Sequence, residues 1–237
     1  MKITLHLIII ALFLLALNSC SDDSGTDPSD EFVGASFQLR DGMEWEYDHF
    51  SLSNQHEVFD GKVHVKYAFY GELKNRLSFE KEAKYVGVSP GFGGYSVVST
   101  DNGEYNVYFD DGFNFHSSIH EQTTDQWVKL IDFKNDSWSQ FDIKADSINP
   151  DNKKHIVIYK RYGSKVENLE VQYKEQTYNA TKYKLTSIID ISSDDEQIVY
   201  INTDYYFTVI DGIGIYKTER FEDSVGPYDT EVLIDHK

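Results

Sequence analysis

The sequence has a single cysteine, Cys20, and only four prolines among 237 residues. One thiol excludes an internal disulfide and a zinc site made of several thiolates, so the hydrophobic core has to stabilise the fold. Basic residues are also scarce, because 22 Lys and Arg stand against 40 Asp and Glu and give a net charge of −18. Such a chain repels phosphate backbones, which argues against nucleic acid as a partner. After Cys20, no apolar run approaches the roughly 20 residues of a transmembrane helix.

The N-terminus has the layout of a secretory signal peptide. Lys2 supplies positive charge, and residues 3–17 form an apolar run that is too short to span a membrane. Cys20 follows in the run LNSC, which resembles a bacterial lipobox. The resemblance implies that signal peptidase II removes residues 1–19 and that acyl chains such as palmitate on Cys20 anchor the protein to the outer membrane. The alternative is an ordinary signal peptide with an incidental cysteine.

Residues 20–36 are expected to form a flexible acidic tether. Positions 21–31 contain no apolar side chain except a proline ring, so this segment cannot recover the entropy that ordering would cost. The acidic stretch from Ser21 to Asp23 also resembles the signal that sends Bacteroidota lipoproteins to the cell surface. This resemblance implies a domain exposed on the cell surface. The alternative is a generic tether, which carries no export signal and is equally compatible with a domain on the periplasmic face of the outer membrane.

From residue 37 onward the apolar residues alternate with polar ones, which is typical of strands that have one buried face. In residues 62–70, for example, Val63, Val65, Tyr67 and Phe69 share a face. Turn residues punctuate these segments, among them Asp41-Gly42, Asp60-Gly61, Asp111-Gly112 and Asp211-Gly212. The pattern predicts one all-β domain over residues 37–237, built as an antiparallel meander.

One stretch departs from this alternation. Between residues 123 and 133, Trp127, Leu130 and Ile131 have helical spacing, and Thr123 with Gln126 resembles a capping box. The spacing predicts a short helix over residues 123–133. The alternative is a strand that runs from Trp127 to residue 133.

Two short segments resemble a family of Bacteroidota lipoproteins that has no assigned activity. Residues 37–47 (FQLRDGMEWEY) are similar to the opening FPL–G–W–Y signature of that family, with Gln38 in place of its proline. Residues 206–217 (YFTVIDGIGIYK) are similar to its Y–GVGLVK strand, with Tyr216 in place of valine. The resemblance implies a strongly curved sheet, similar to the LolA-like open half-barrel of lipoprotein carriers, with a helix against its concave face.

Motifs of catalysis and metal binding are missing or incomplete. The sequence has no Gly-x-Ser-x-Gly elbow, and the glycine-rich run at 90–94 lacks the Lys and Ser/Thr of a phosphate-binding loop. His116 and His120 have i, i+4 spacing but lack a third metal ligand. Glu44 and Glu46 flank Trp45 and are the carboxylates best placed for glycoside hydrolysis. We therefore expect no catalytic residue, no metal and no cofactor, with a glycan hydrolase as the minority hypothesis.

Two functions remain. The first is a monomeric, non-catalytic interaction module of the cell envelope that contacts an envelope protein or a glycan. The second is a carrier that holds an apolar ligand, a lipid or glycolipid, in a groove lined by aromatic side chains. Cys20 is the lipidation site in both. If a groove exists, six aromatic residues are the candidates to line it: Trp45, Tyr47, Tyr67, Phe69, Trp127 and Trp138.

Overall fold

The computed structural model describes residues 36–53, 56–87, 93–111, 117–148, 154–193, 196–223 and 226–237. Cys20, the signal peptide predicted for residues 1–19 and the tether up to residue 35 lie outside these ranges. Twelve antiparallel strands form one sheet. They are β1 (Glu44–Ser53), β2 (His56–Leu73), β3 (Arg76–Val86), β4 (Gly93–Ser99), β5 (Glu104–Phe109), β6 (Gln126–Asp132), β7 (Ser137–Ile148), β8 (Lys154–Tyr173), β9 (Gln176–Ser193), β10 (Glu196–Ile210), β11 (Gly214–Glu222) and β12 (Gly226–His236).

The strands follow one another as a meander, but the two ends of the chain pair with each other. β1 and β12 form an antiparallel ladder that runs from the pair of Trp45 with His236 to the pair of Ser51 with Asp229. Lys237 extends this ladder by exchanging backbone hydrogen bonds with Glu44. The sheet therefore curves into a barrel in which each strand pairs with its neighbours except at the seam between β6 and β7, and the predicted all-β, strongly curved meander is confirmed.

The seam between β6 and β7 is bridged by a side chain in place of a backbone ladder. The register of β7 against β8 shifts between Ser139 and Phe141, so Gln140 forms a bulge. Its Oε1 accepts a hydrogen bond from the Lys129 amide at 3.1 Å, and its Nε2 donates to the Trp127 carbonyl at 3.5 Å. An amide side chain can satisfy a strand edge in this way because it carries the same donor and acceptor as a peptide group.

The helix predicted over residues 123–133 is wrong in position, and the strand alternative describes that segment correctly. The α-helix, α1, spans Ser117–Thr123, and β6 begins at Gln126. Thr123 closes the helix instead of opening it, since its hydroxyl donates to the Ile119 carbonyl at 2.8 Å. Asp125 then adopts a left-handed conformation with φ of +57°, which turns the chain into the strand.

The larger of two hydrophobic clusters includes Trp45 and the buried rings around it. Phe37, in the segment before β1, lies across the interior and places its ring 5.6 Å from the rings of Trp45, Tyr105 and Phe133. These partners come from β1, from β5 and from the position directly after β6, so one ring ties together distant parts of the wall. Aromatic pairs at edge-to-face angles contribute about 0.5–1.5 kcal/mol each beyond the area they bury.

The second cluster lies under α1. Ile119 of the helix is fully buried together with Val128, Val157 and Tyr159 from β6 and β8. Because α1 is only seven residues long, its contacts with the sheet must hold it in place. In the part of the chain that the structure describes, no helix has the length and the apolar surface needed to cross a membrane.

We predict that Gly214→Ala lowers the free energy of unfolding by about 2–4 kcal/mol. Gly214 has φ of +138°, and an added Cβ would lie 2.3 Å from Cζ2 of the Trp45 indole. The substitution therefore strains the backbone and displaces a ring at the centre of the core. Urea denaturation followed by tryptophan fluorescence measures the change.

Gly94→Ala provides the matched control for this substitution. Its added Cβ would meet nothing within 4 Å, so we expect a change within about 1 kcal/mol. Equal midpoints for the two variants would show that the contact between Trp45 and residue 214 does not limit the packing of the core.

Candidate binding site

The six aromatic residues predicted to line a groove fall into two groups. Four are buried among core side chains, with exposed fractions of 8% or less: Trp45, Tyr47, Tyr67 and Trp138. Phe69 is 55% exposed, and Trp127 is half-buried. Their assignment to a ligand groove stays a prediction, but only the last two rings have much surface open to solvent.

The buried rings have specific neighbours that account for their burial. The ring of Trp45 packs edge-to-face on Tyr67 at 4.9 Å between centroids. The Tyr47 hydroxyl donates a hydrogen bond to the Ile215 carbonyl at 3.0 Å, which satisfies its polar end within the core. Trp138 lies against Gly163, where a Cβ would approach the indole to 2.1 Å. These contacts make the four rings part of the internal packing.

The two accessible rings lie outside this core. Phe69 packs against Phe79 at 5.8 Å between ring centroids, next to the hairpin that joins β2 and β3. Trp127 stands on the outer face of β6, where its ring packs on Tyr108 at 5.3 Å. Its Nε1 donates a hydrogen bond to the Leu73 carbonyl at 3.2 Å. The β2–β3 hairpin thus folds over the outside of β5 and β6.

A polar cluster lies on the inward face of β1 and β12, beyond Tyr47. His49 Nδ1 lies 2.5 Å from Asp60 Oδ1, and the His49 side chain is buried. The Tyr85 hydroxyl donates to Glu231 at 3.1 Å. Burial, together with nearby Glu231, raises the pKa of Tyr85 well above its usual range. These members come from four strands, so no sequence spacing could have identified them.

Arg220 and Asp229 continue the same cluster. Their side chains approach to 3.9 Å, and Arg220 also lies 3.8 Å from Glu222. Burial raises the pKa of Asp229, with a further contribution from Glu231, although Arg220 opposes the change. The cluster therefore consists of paired charges within the wall, and in the part of the chain that the structure describes no group of three or more His, Cys, Asp or Glu is arranged to hold a metal ion.

The wall of the barrel opens between β4 and β5. Among the described residues these two strands pair only at Val98 with Val107 and at Ser99 with Asn106. Beyond Val98 the strands separate and leave a cavity of about 570 Å³, here called the β4–β5 cleft. Its lining consists of Glu80, Tyr95, Ser96, Val97, Val107, Tyr108, Phe109, Asp110 and Asp111. The volume falls within the usual range of ligand sites, about 300–1,000 Å³.

The cleft has apolar walls and an acidic rim. Val97 and Val107 contribute apolar surface from the two strands, while Glu80, Asp110 and Asp111 bring carboxylates to its border. Beside it, Tyr95 is 71% exposed, the largest exposed fraction of the apolar and aromatic side chains at the described surface. The Tyr95 hydroxyl donates to Glu82 at 2.9 Å, so this ring is oriented although it faces solvent. Sequence reasoning missed the cleft because it depends on where two strands stop pairing.

The β2–β3 hairpin fixes one side of this region. Lys74 pairs with Asp125 at 2.6 Å, and the Tyr108 hydroxyl also donates to Asp125. Lys74 and Asn75 form the hairpin turn with φ of +48° and +61°, as a type I′ turn requires. The hairpin tip thereby ties β5 to β6 next to the cleft.

A charged network lies beneath the same hairpin. Arg76 and Lys129 both contact Glu104, at 2.8 and 2.5 Å, and Lys129 also contacts Asp132 at 2.7 Å. Asp132 accepts further hydrogen bonds from the backbone amides that follow β6. Burial alone would raise the pKa of Glu104 and Asp132, but the bonds to Lys129 and their other partners outweigh it and lower both pKa values.

The carboxylates considered for glycoside hydrolysis are paired with basic side chains on the outer face of β1 and β2. Glu46 contacts Lys62 at 2.5 Å and His64 at 3.3 Å, while Glu44 contacts Lys66 at 2.6 Å. The hydrogen bond from Lys66 lowers the pKa of Glu44. A general acid needs a raised pKa, so the environment of Glu44 is the opposite of the one that a glycosidase acid requires.

Comparison with known proteins gives two distant structural similarities. No protein-family model matches the chain, and no curated protein matches its sequence. An inferred lipoprotein from Parabacteroides distasonis is 14% identical, with a TM-score of 0.49 over 85% of this chain and 97% of that chain. An inferred exported protein with a YmcC-like fold from Bacteroides fragilis is 12% identical, with a TM-score of 0.44 over 86% of this chain and 99% of that chain. At this level neither structure assigns a family or a function.

We predict that Glu104→Gln destabilises the protein by about 1–3 kcal/mol at pH 7, because it leaves Arg76 and Lys129 partly unpaired. Since the folded-state pKa values of Glu104 and Asp132 are lowered, their stabilisation is present above the unfolded-state values near pH 4 and is lost as the pH falls through the folded values. The difference between variant and wild type should therefore shrink from pH 7 to pH 3 in urea denaturation.

Glu170→Gln serves as the control, because Glu170 is an exposed residue on β8. Its effect should stay within about 0.5 kcal/mol at both pH values. A destabilisation by Glu104→Gln that is the same at pH 7 and pH 3 would contradict the electrostatic explanation.

Proposed function

We propose that this protein is a lipid-anchored, non-catalytic binding module of the bacterial cell envelope. The acyl chains on Cys20 hold it in the outer membrane, and the acidic tether carries the folded domain away from the membrane on the outer side of the cell. The lipobox-like run before Cys20 and the acidic residues that follow it support this location. The barrel acts as a rigid support for a surface that contacts another macromolecule.

The β4–β5 cleft is the observation that carries the binding role. It combines apolar walls, a carboxylate rim and a wall opening of about 570 Å³. By contrast, four of the six aromatic residues considered for an internal groove are committed to core packing. A protein that contacts its partner through its outer wall accounts for both observations.

We predict that Cys20→Ser abolishes labelling of the protein by an alkyne analogue of palmitate in growing cells. The thiol is the acceptor of the lipid, and a serine hydroxyl cannot replace it. The wild-type chain should carry the label and sediment with membranes, whereas the variant should carry neither lipid nor a processed N-terminus. Labelling is read by gel fluorescence after conjugation, and processing by the mass of the intact chain.

Ser21→Ala is the matched control, since it changes a neighbouring residue and leaves the acceptor thiol in place. It should be labelled as strongly as the wild type. Palmitate label that persists in Cys20→Ser would contradict anchoring at this residue.

The surface location is tested by adding a protease to intact cells, which should digest the wild-type domain. A domain that is digested only after the outer membrane has been opened would contradict the surface location.

We predict that native mass spectrometry of the full acylated chain, released from detergent micelles, gives the mass of the protein with its own acyl chains. The buried aromatic rings occupy the space in which a carrier would hold its cargo. Organic extraction of the same sample identifies any additional lipid. A second apolar molecule bound at one copy per chain would overturn the proposal in favour of the carrier.

A further inference from the structure

We infer that the β4–β5 cleft accepts an extended, basic segment of a partner protein, which adds to the sheet as a strand. This inference rests on the proposed binding function and specifies the chemistry of the partner. Its basis is that β4 and β5 stop pairing where an apolar cavity with acidic borders opens between them.

The two strands that border the cleft are well supported on their other sides. β4 pairs with β3 from Phe79 with Val98 to Lys84 with Gly93. β5 pairs with β6 as far as Phe109 with Gln126. Both strands are therefore held in extended form. Alternate peptide groups of residues 94–97 bond to β3, and the others point toward the cleft, where the described residues form no ladder to β5. A strand edge of this kind is a template for an additional strand.

The second interruption of the sheet, at the seam of β6 and β7, is a weaker candidate. There the Gln140 side chain already occupies the edge of β6 by bonding to the backbone of Lys129 and Trp127. At the β4–β5 cleft the ladder ends in a cavity instead of a bridging side chain. The cleft is thus the interruption at which, among the described residues of β4 and β5, no ladder beyond Val98 and Val107 has to be broken to take up a new strand.

Side chains of an added strand would point alternately to the two faces of the wall. On the inner side they would meet the apolar surface of Val107 and Phe109, which belongs to the cluster under α1. On the outer side they would meet Tyr95 and the carboxylate of Glu80. A segment that alternates aliphatic residues with lysine or arginine matches both faces.

Negative charge argues against two other occupants of the cleft, a second copy of this protein and its own N-terminal tether. A second copy carries the same net charge of −18, and the tether at positions 21–31 contains five acidic residues and no basic one. Each would bring more negative charge to a rim that already holds Glu80, Asp110 and Asp111. Like charges brought together across an interface are unfavourable, whereas opposite charges favour association. The occupant is therefore a basic segment from another protein.

The test uses the full acylated chain in detergent micelles and a synthetic probe. The probe is an acetylated and amidated eight-residue peptide that alternates lysine and valine. We expect it to bind and to slow hydrogen exchange of the cleft-facing amides in residues 94–97 and 108–110 by about tenfold or more, because these amides enter a new ladder. Exchange is read residue by residue by NMR or mass spectrometry.

Two altered peptides separate strand addition from simple attraction between opposite charges. The first keeps its charge but carries N-methyl groups on alternate residues, which removes ladder donors, and it should lose the protection. The second replaces lysine by glutamate and should not bind. Binding that survives N-methylation, or protection that falls outside β4 and β5, would overturn the inference.

Two variants of the protein test whether binding of the basic peptide depends on carboxylates at the cleft or only on the net charge of the protein. Glu80→Lys should weaken binding of the lysine–valine peptide by about fivefold or more, because it reverses a charge on the rim. Glu170→Lys makes the same change in net charge on β8 and should weaken binding by less than about twofold. Equal losses in the two variants would show that only net charge matters and would overturn the site.

Failure of lipid anchoring and failure of strand addition give different experimental results. If Cys20→Ser retains its label, the anchored module fails whatever the peptide does. If the chain is anchored but the lysine–valine peptide gives no protection in β4 and β5, the strand-addition site alone fails.

Discussion

The ladder between β1 and β12 is the constraint on which the architecture depends. A meander of twelve strands would otherwise expose an edge at each end of the chain, and exposed edges pair with other molecules. By joining Trp45 to His236 and closing the backbone at Glu44 and Lys237, the chain removes both terminal edges at once. The remaining interruptions then fall in the middle of the sequence, at β4–β5 and at β6–β7.

Closing the sheet also determines what the interior can hold. Large rings converge when twelve strands curve together, and they fit only because glycines on other strands leave room. Gly214 faces Trp45 and Gly163 faces Trp138, each without space for a Cβ. Such interlocking is a feature of close-packed interiors. It explains why aromatic residues that alternate along strands formed a core in this protein, and why an accessible site lies in the wall.

Sequence patterning predicted the strand content because alternation reports directly on a two-faced sheet. It failed where local signals are ambiguous. Asp60-Gly61 looks like a turn but forms a bulge inside β2, opposite the register shift after His49. The turn at Lys74 and Asn75 carries no glycine and gave no signal. The helix was misplaced because the apolar residues after Thr123 also fit a strand. The cleft depends on long-range register, which no local window contains.

An opening in a sheet wall is normally a hazard, since unpaired strand edges promote association between identical chains. The acidic rim of the β4–β5 cleft opposes that outcome. Glu80, Asp110 and Asp111 border the opening, and every copy of this protein carries a large negative charge. At physiological salt, electrostatic repulsion between copies acts over about 8–10 Å. Two strand edges have to come within this distance before they can pair, so the repulsion opposes their pairing. The same carboxylates that keep identical chains apart attract a basic segment, so one arrangement of charge serves both solubility and partner choice.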